Sequence, residues 1–273
     1  MELVSILPIA AIVAVIGAFA GVLAGLLGVG GGIVLVPAFL YAFRALGFDG
    51  PDVMQLCVAT SLATVVVTSL RSVSAHNKKG AVNYDILRSW APGLAVGAAF
   101  GVVAAANLRS DMLQLIFGGL AIIVGLYMAL GRESWRLGEA LPLGWGGRVG
   151  ASIMGFLSVL MGIGGGSFGV PTMSLYGVPI HRAVATAAGF GVAIAAPSVI
   201  GFFFVATDPA TRPPFTFGAI NLVAFAIVVP MTILTAPWGA SLAHSLPAGR
   251  LKRVFGVFLL IVAANMAWEV LSS

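Results

Sequence analysis

Two short glycine clusters hold the residues of this chain best suited to chemistry. Gly28-Val29-Gly30-Gly31-Gly32 runs into Ile33 and then Val36-Pro37, and Gly162-Ile163-Gly164-Gly165-Gly166 runs into Ser167 and then Val170-Pro171. A helix that starts directly after such a cluster, near Ile33 and near Ser167, has first-turn amides without intrahelical partners. The positive end of its dipole then faces the glycines. Bare N–H groups beside a side-chain-free backbone form a cradle for an anion. The competing use of the same glycines is close helix packing of the small-xxx-small kind. The candidate cradle comprises Gly30, Gly31, Gly32 and Ile33 in one cluster and Gly164, Gly165, Gly166 and Ser167 in the other.

Hydroxyls at helical spacing form a second candidate component. Thr60, Ser61 and Thr64, followed by Thr68 and Ser69, lie in one apolar run, and Ala59-Thr60 is echoed by Ala185-Thr186. Such hydroxyls donate to an anionic oxygen without the cost of a buried charge, or else bond the carbonyl four residues back in their own helix. Asn83 and Asn221 each precede an apolar run, where Asn is a favoured helix N-cap; contact with a ligand is the other reading. Arg71 and Arg182 abut long apolar runs and serve either as entrance or gate charges or as orientation anchors. His76, His181 and His244 fall near segment ends, at the expected interface. No His-Glu-x-x-His, cysteine cluster, P-loop Lys-Ser/Thr or pair of buried carboxylates is present, so no enzyme, metal site or cofactor is expected.

The elements that carry these residues follow from charge. Of 273 residues, 60% are hydrophobic, and only 14 Lys/Arg and 9 Asp/Glu are charged. Residues 3–43, 53–70, 89–108, 112–131, 149–181, 183–207, 213–249 and 254–268 contain none of the four. A water-soluble globule would need a polar shell. These runs instead match the roughly 20 apolar residues of a bilayer-spanning helix, and they lack the alternation of a membrane β-barrel. The expected fold class is an all-α polytopic membrane protein. The net charge of +5 sits in short connections with no basic stripe, so nucleic acid is not an expected partner, whereas the lipid bilayer is. Cys57 is the single cysteine, inside an apolar run, which rules out a disulfide framework. The first apolar run is too long for a signal peptide and is expected to be retained.

Internal repetition organises the chain. Besides the glycine clusters, Gly80-Ala81-Val82-Asn83 recurs as Gly218-Ala219-Ile220-Asn221, Pro92 pairs with Pro230, and Phe117-Gly118 with Phe255-Gly256. Residues 1–131 form one expected repeat, 132–148 a linker and 149–273 a second repeat. Each repeat has five apolar segments: 4–27, 33–46, 53–70, 87–106 and 112–131, then 149–163, 167–177, 183–204, 217–243 and 252–271. An odd number per repeat predicts inversion of the second copy. With both termini outside, eleven Lys/Arg fall in the inside connections and only Arg44, Arg109 and Arg212 outside, as the positive-inside rule requires. Segments 149–163 and 167–177 amount to only about 22 and about 16 Å of helix at ~1.5 Å per residue. They therefore form either a re-entrant hairpin with the glycines at its tip or tilted, broken spans. Valine at Gly31 or Gly165 is expected to stop anion passage while insertion and expression persist.

On Gly28 to Pro37, Ala59 to Ser61, Gly80 to Asn83 and Gly162 to Pro171, the chain resembles the sulfite exporter TauE/SafE family, also called the 4-toluene sulfonate uptake permease family, along essentially its whole length. The resemblance implies a bacterial inner-membrane transporter of small anions such as sulfite, sulfonates and sulfoacetate. It fixes neither the anion nor the direction. Export is the favoured direction, because all nine acidic residues lie in connections or at segment ends and none is placed as a proton or sodium site. A homo-oligomer is compatible with this reading. The alternative from another class is a non-transporting membrane scaffold or assembly subunit whose glycines only pack.

Overall fold

A computed structural model describes residues 3–27, 31–131, 135–242 and 248–272. In the hydrocarbon a backbone must satisfy its own hydrogen bonds, and accordingly each apolar run forms a helix. The first half contains α1 (Leu3–Leu27), α2 (Gly32–Ala45), α3 (Val53–Asn77), α4 (Tyr84–Asn107) and α5 (Ser110–Leu130). The second contains α6 (Trp145–Leu160), α7 (Gly166–Leu175), α8 (Ile180–Phe203), α9 (Leu222–Leu242) and α10 (Ala248–Ser272). Among the described residues, α3, α4, α5, α8 and α9 contain stretches long and apolar enough to cross a membrane. At ~1.5 Å per residue, the 14 residues of α2 span about 21 Å and the 10 of α7 about 15 Å, short of the ~30 Å hydrocarbon. Large apolar side chains such as Val15, Phe100, Ile123, Ile200 and Ile261 point outward and exposed, as lipid contact requires.

The helices pair in a matched way. α1 packs chiefly on α9 and α6 on α4; α5 packs on α10; α2 lies against α3 and α7 against α8; and α3 and α8 pack on each other. Small residues make these contacts close, because lipid supplies no hydrophobic drive between helices and backbone proximity must replace it. A Cβ on Gly97 or Gly155 would collide with the carbonyl oxygen of Ser152 or Leu94 across the α4–α6 seam. One on Gly239 would collide with that of Val22 across α1–α9. The packing use of glycine is therefore realised along these seams.

Several boundaries depart from the sequence expectation, α6 and α10 each beginning four residues early at Trp145 and Ala248, and two departures bear on the site. α3 continues past Leu70 to Asn77, since a helix does not end where the hydrocarbon does, and Arg71, Ser74 and His76 ride on it. His76, expected at the interface, is consequently 3% exposed. The segment read as 217–243 opens with a minimal antiparallel hairpin, β1 (Thr216–Phe217) and β2 (Ile220–Asn221), before α9 begins. Gly218 turns that hairpin at φ 55°, where the carbonyls of Phe202 and Phe203 leave no space for a Cβ. Asn221 then caps α9 by accepting from Ala224 N at 2.9 Å.

Candidate functional site

The two glycine tips meet inside the protein. Gly162, at φ 61°, ends α6: its N–H donates to Val159 O at 2.9 Å, and Ile163 N donates to Ser158 O at 3.0 Å. This turn lies against the start of α2, so that a Cβ on Gly32 would collide with Gly162 O and stand 2.9 Å from Ile163 Cα. Ser61, from α3, donates to Gly162 O at 2.7 Å, with Gly32 O at 3.4 Å, and so clamps one tip to the other. Gly31 opens α2 in the left-handed region at φ 77°, accepting from Val34 N and Leu35 N. Gly165 opens α7 in ordinary helical geometry, accepting from Gly169 N at 2.7 Å. Among the described residues no side chain caps either helix start, at Gly32 and Ile33 of α2 or at Gly166 and Ser167 of α7. Gly164 is buried beside them, while Gly30 lies outside the described residues.

Four of the buried hydroxyls carry unspent hydrogen-bonding capacity. Ser167 is 2% exposed and Ser158 0%, and neither Oγ has a partner among the described residues. Buried polar groups are ordinarily satisfied and an orphan costs about 1–3 kcal/mol; Ser72 and Ser174 are likewise without a partner among the described residues, but only Ser158 and Ser167 flank a glycine tip. Thr60 and Thr186 are fully buried and make exchanged contacts: Thr60 Oγ1 accepts from Asn221 N, and Thr186 Oγ1 accepts from Asn83 N, each at 3.0 Å. Each threonine of one half thus holds the capped helix start of the other, and each retains its hydroxyl proton, for which no acceptor is found among the described residues. Thr64 and Thr68 differ, donating to Ser61 O at 2.6 Å and Thr64 O at 3.0 Å within their own helix.

The remaining candidates lie elsewhere. Asn83 Oδ1 accepts from Asp85 N and Ile86 N at 3.1 and 3.2 Å, which caps α4 as Asn221 caps α9. Arg71 and Arg182 are exposed, on the last turns of α3 and the first turn of α8, away from the glycine junction. Ser158 was missed from sequence. Its repeat counterpart is Ala24, so the repetition that singled out the other residues carried no signal there.

The exchanged threonine bonds make a direct prediction. Thr60→Val leaves the buried Asn221 N–H without an acceptor and is expected to lower stability by about 1–3 kcal/mol, read as a reduced melting temperature in detergent. Thr60→Ser keeps the acceptor and is expected to restore most of that loss. Equal melting temperatures for the valine and serine variants would show that the contact carries no weight.

A bundle of apolar helices enclosing broken, glycine-lined backbone is the construction of secondary transporters, in which irregular main chain at membrane depth is tolerated only where protein or a cavity surrounds it. The chain belongs to the sulfite exporter TauE/SafE family, which matches residues 13–266. It is 29% identical to a probable membrane transporter protein of Haemophilus influenzae, over 92% of this chain and 95% of the relative. It is 24% identical to the probable membrane transporter protein YunE of Bacillus subtilis, over 94% and 97% of the two chains. A probable membrane transporter protein of Methanocaldococcus jannaschii is 29% identical over 64% and 65%. No solved structure matches significantly. The protein is a multi-pass membrane protein of a transporter family.

Proposed function

We propose that this protein carries small oxyanions of the sulfite and sulfonate class out of the cell across the cytoplasmic membrane, through a site at the junction of the two glycine tips. The observation that carries the reading is Ser167: an unpartnered, buried hydroxyl on the first turn of an uncapped helix, beside glycines that keep side chains away from the amides. The first-turn amides of α2 and α7, which no side chain caps among the described residues, supply partial positive charge, and Ser167, Ser158, Thr60 and Thr186 supply neutral donors. Sulfite and sulfonate oxygens accept from such donors, and no full counter-charge has to be buried. Ser61 and the tip glycines hold the two halves at the approach distance this needs. Asn83 and Asn221 fix the helices on which the threonine contacts depend, and Arg71 and Arg182 attract the anion at the ends of α3 and α8.

In this reading the halves 1–131 and 149–273 are inverted repeats joined by a cytoplasmic linker, both termini are outside, and two helix starts of opposite orientation converge on one anion. A cysteine at Lys79 or Arg136 is then expected to be labelled only from the cytoplasm and one at Arg212 only from outside, once Cys57 is replaced. Labelling of positions 79 and 212 from the same side would end the inverted arrangement.

Export follows from the charge on the substrate. An anion leaving a negative interior gains about 2.3 kcal/mol per charge per 100 mV, so no coupling ion is needed. In proteoliposomes loaded with sulfite, with potassium and valinomycin setting the potential, efflux is expected to accelerate when the inside is made negative and to ignore proton and sodium gradients. Uphill uptake driven by either gradient would refute it. The direct packing of Gly32 on Gly162 favours one other reading, a scaffold whose tips only pack. Thermal stabilisation of the solubilised protein by sulfite or sulfonates but not by chloride separates the two, because only a binding site shifts stability with ligand concentration.

A further inference from the structure

A concavity of about 290 Å³ lies at the opposite end of α3 from its start at Val53, between that helix and α9. Its wall on the α3 side includes Arg71, Ser74 and Lys78, which share one helical face, and Lys79 in the turn beyond; on the α9 side it includes Pro237 and Ser241, one turn apart. No acidic residue lines it, and Arg71, Lys78 and Lys79 form no ion pair among the described residues. Three like charges converging on one hollow repel one another, and two hydroxyls among them add donors, so the lining is complementary to an oxyanion.

Orientation in the membrane explains basic residues at one end of a helix, but it does not explain their convergence on a hollow. Carrying Thr60 to Thr186 and Asn83 to Asn221 brings Arg71, Ser74, Lys78 and Lys79 to Pro197, Ile200, Phe204 and Val205, and brings Pro237 and Ser241 to Ala99 and Val103. The corresponding end of α8 is therefore apolar, and Gly201 there sits tightly against Val102 of α4. The shared plan does not require this lining; one end of one half has acquired it. Leu70 and Trp238, each next in sequence to a lining residue, are 51% and 67% exposed, and exposed Trp marks the level of lipid headgroups.

We propose that this pocket is a second anion site, distinct from the glycine tips, that binds a tetrahedral oxyanion group of the phosphate or sulfonate type through Arg71, Lys78 and Lys79. The same chemistry is offered by the headgroup of an anionic phospholipid and by a free anion in the aqueous phase. The site stands whether or not the tips bind substrate.

The test uses the full chain in phosphatidylcholine nanodiscs. One arm titrates inorganic phosphate and methanesulfonate; the other measures retention of phosphatidylglycerol by native mass spectrometry. The Arg71→Gln/Lys78→Gln double variant is compared with Arg148→Gln, which removes an exposed cation elsewhere, and with Ser167→Ala, which probes the tips. Saturable binding of at least one probe is expected, weakened about tenfold or more in the double variant, since each charge-assisted bond is worth about that factor. Arg148→Gln and Ser167→Ala are expected to change this component less than twofold. Retention of phosphatidylglycerol alone assigns a lipid headgroup, and binding of the free anions assigns a soluble ligand. Binding that falls in Ser167→Ala but survives the double variant belongs to the tips and overturns the pocket, as does the absence of binding by every probe. Loss of the pocket component in the double variant, with any Ser167-sensitive component retained, supports the pocket as a site separate from the tips.

Discussion

Ser167→Ala is expected to leave the protein folded and to remove most of its anion transport. The Oγ it deletes is buried and makes no hydrogen bond among the described residues, so an unsatisfied polar atom disappears; the melting temperature is expected to hold or rise slightly. A bound anion at the start of α7 would lose a hydrogen bond to a charged group, about 1.5–3 kcal/mol, which is a factor of roughly 10 to 150 in affinity. Sulfite efflux from proteoliposomes and the melting temperature of the same preparation, measured side by side, decide the matter. Ser158→Ala is expected to behave in the same direction. Wild-type efflux in both variants would remove the hydroxyls from the site.

Gly165→Val is expected to fail at the level of the fold. A Cβ at this position would collide with the Cβ of Phe190 and lie 3.0 Å from its carbonyl carbon, and neither atom can move without shifting α8. Overpacking a filled interior costs about 1–3 kcal/mol, and more where main chain is struck, so monodisperse protein on size exclusion is expected to be largely lost. Gly31→Val meets the same outcome by another route: φ of 77° resists a β-branched residue, and Ala20 O stands 2.9 Å from the new Cβ. Gly119→Val is the control, because a Cβ there meets nothing within 4 Å. Recovery of well-folded Gly165→Val at wild-type yield would show that the α7–α8 contact is looser than its geometry. The sequence led to the opposite expectation, transport lost with folding kept; the tip glycines are bound into the packing too tightly for that separation. Ser167, one residue past the cluster, is where ligand chemistry can be tested apart from packing.

Much of this was legible in the chain itself. Long charge-free runs can only be helices in a bilayer, because no other local structure satisfies each backbone group within its own segment, so the series and order of helices could be read, although α3 runs seven residues past its expected end and α9 begins five residues late. The starts of α2 and α7 directly after their glycines, and the capping by Asn83 and Asn221, follow from local rules of the same kind: glycine ends one geometry and opens another, and a short amide side chain satisfies the first amides. What a hydroxyl does is not local. Thr60 and Thr64 lie one turn apart on the same helix, yet Thr64 bonds its own backbone, whereas Thr60 reaches Asn221 N, 161 residues away. Which of the two happens depends on what the opposite half places beside the helix, and no spacing encodes that. For the same reason Ser61 could be picked out as polar but not as the clamp between the tips, and Ser158 could not be picked out at all. Arg71, Lys78 and Lys79 read as scattered orientation charges until α9 closes a wall against α3 and makes them one lining. Sequence determined which backbone is helical and where it breaks; tertiary packing decided which buried hydroxyls are satisfied and which are left with a proton to give, because that depends on contacts between segments more than a hundred residues apart.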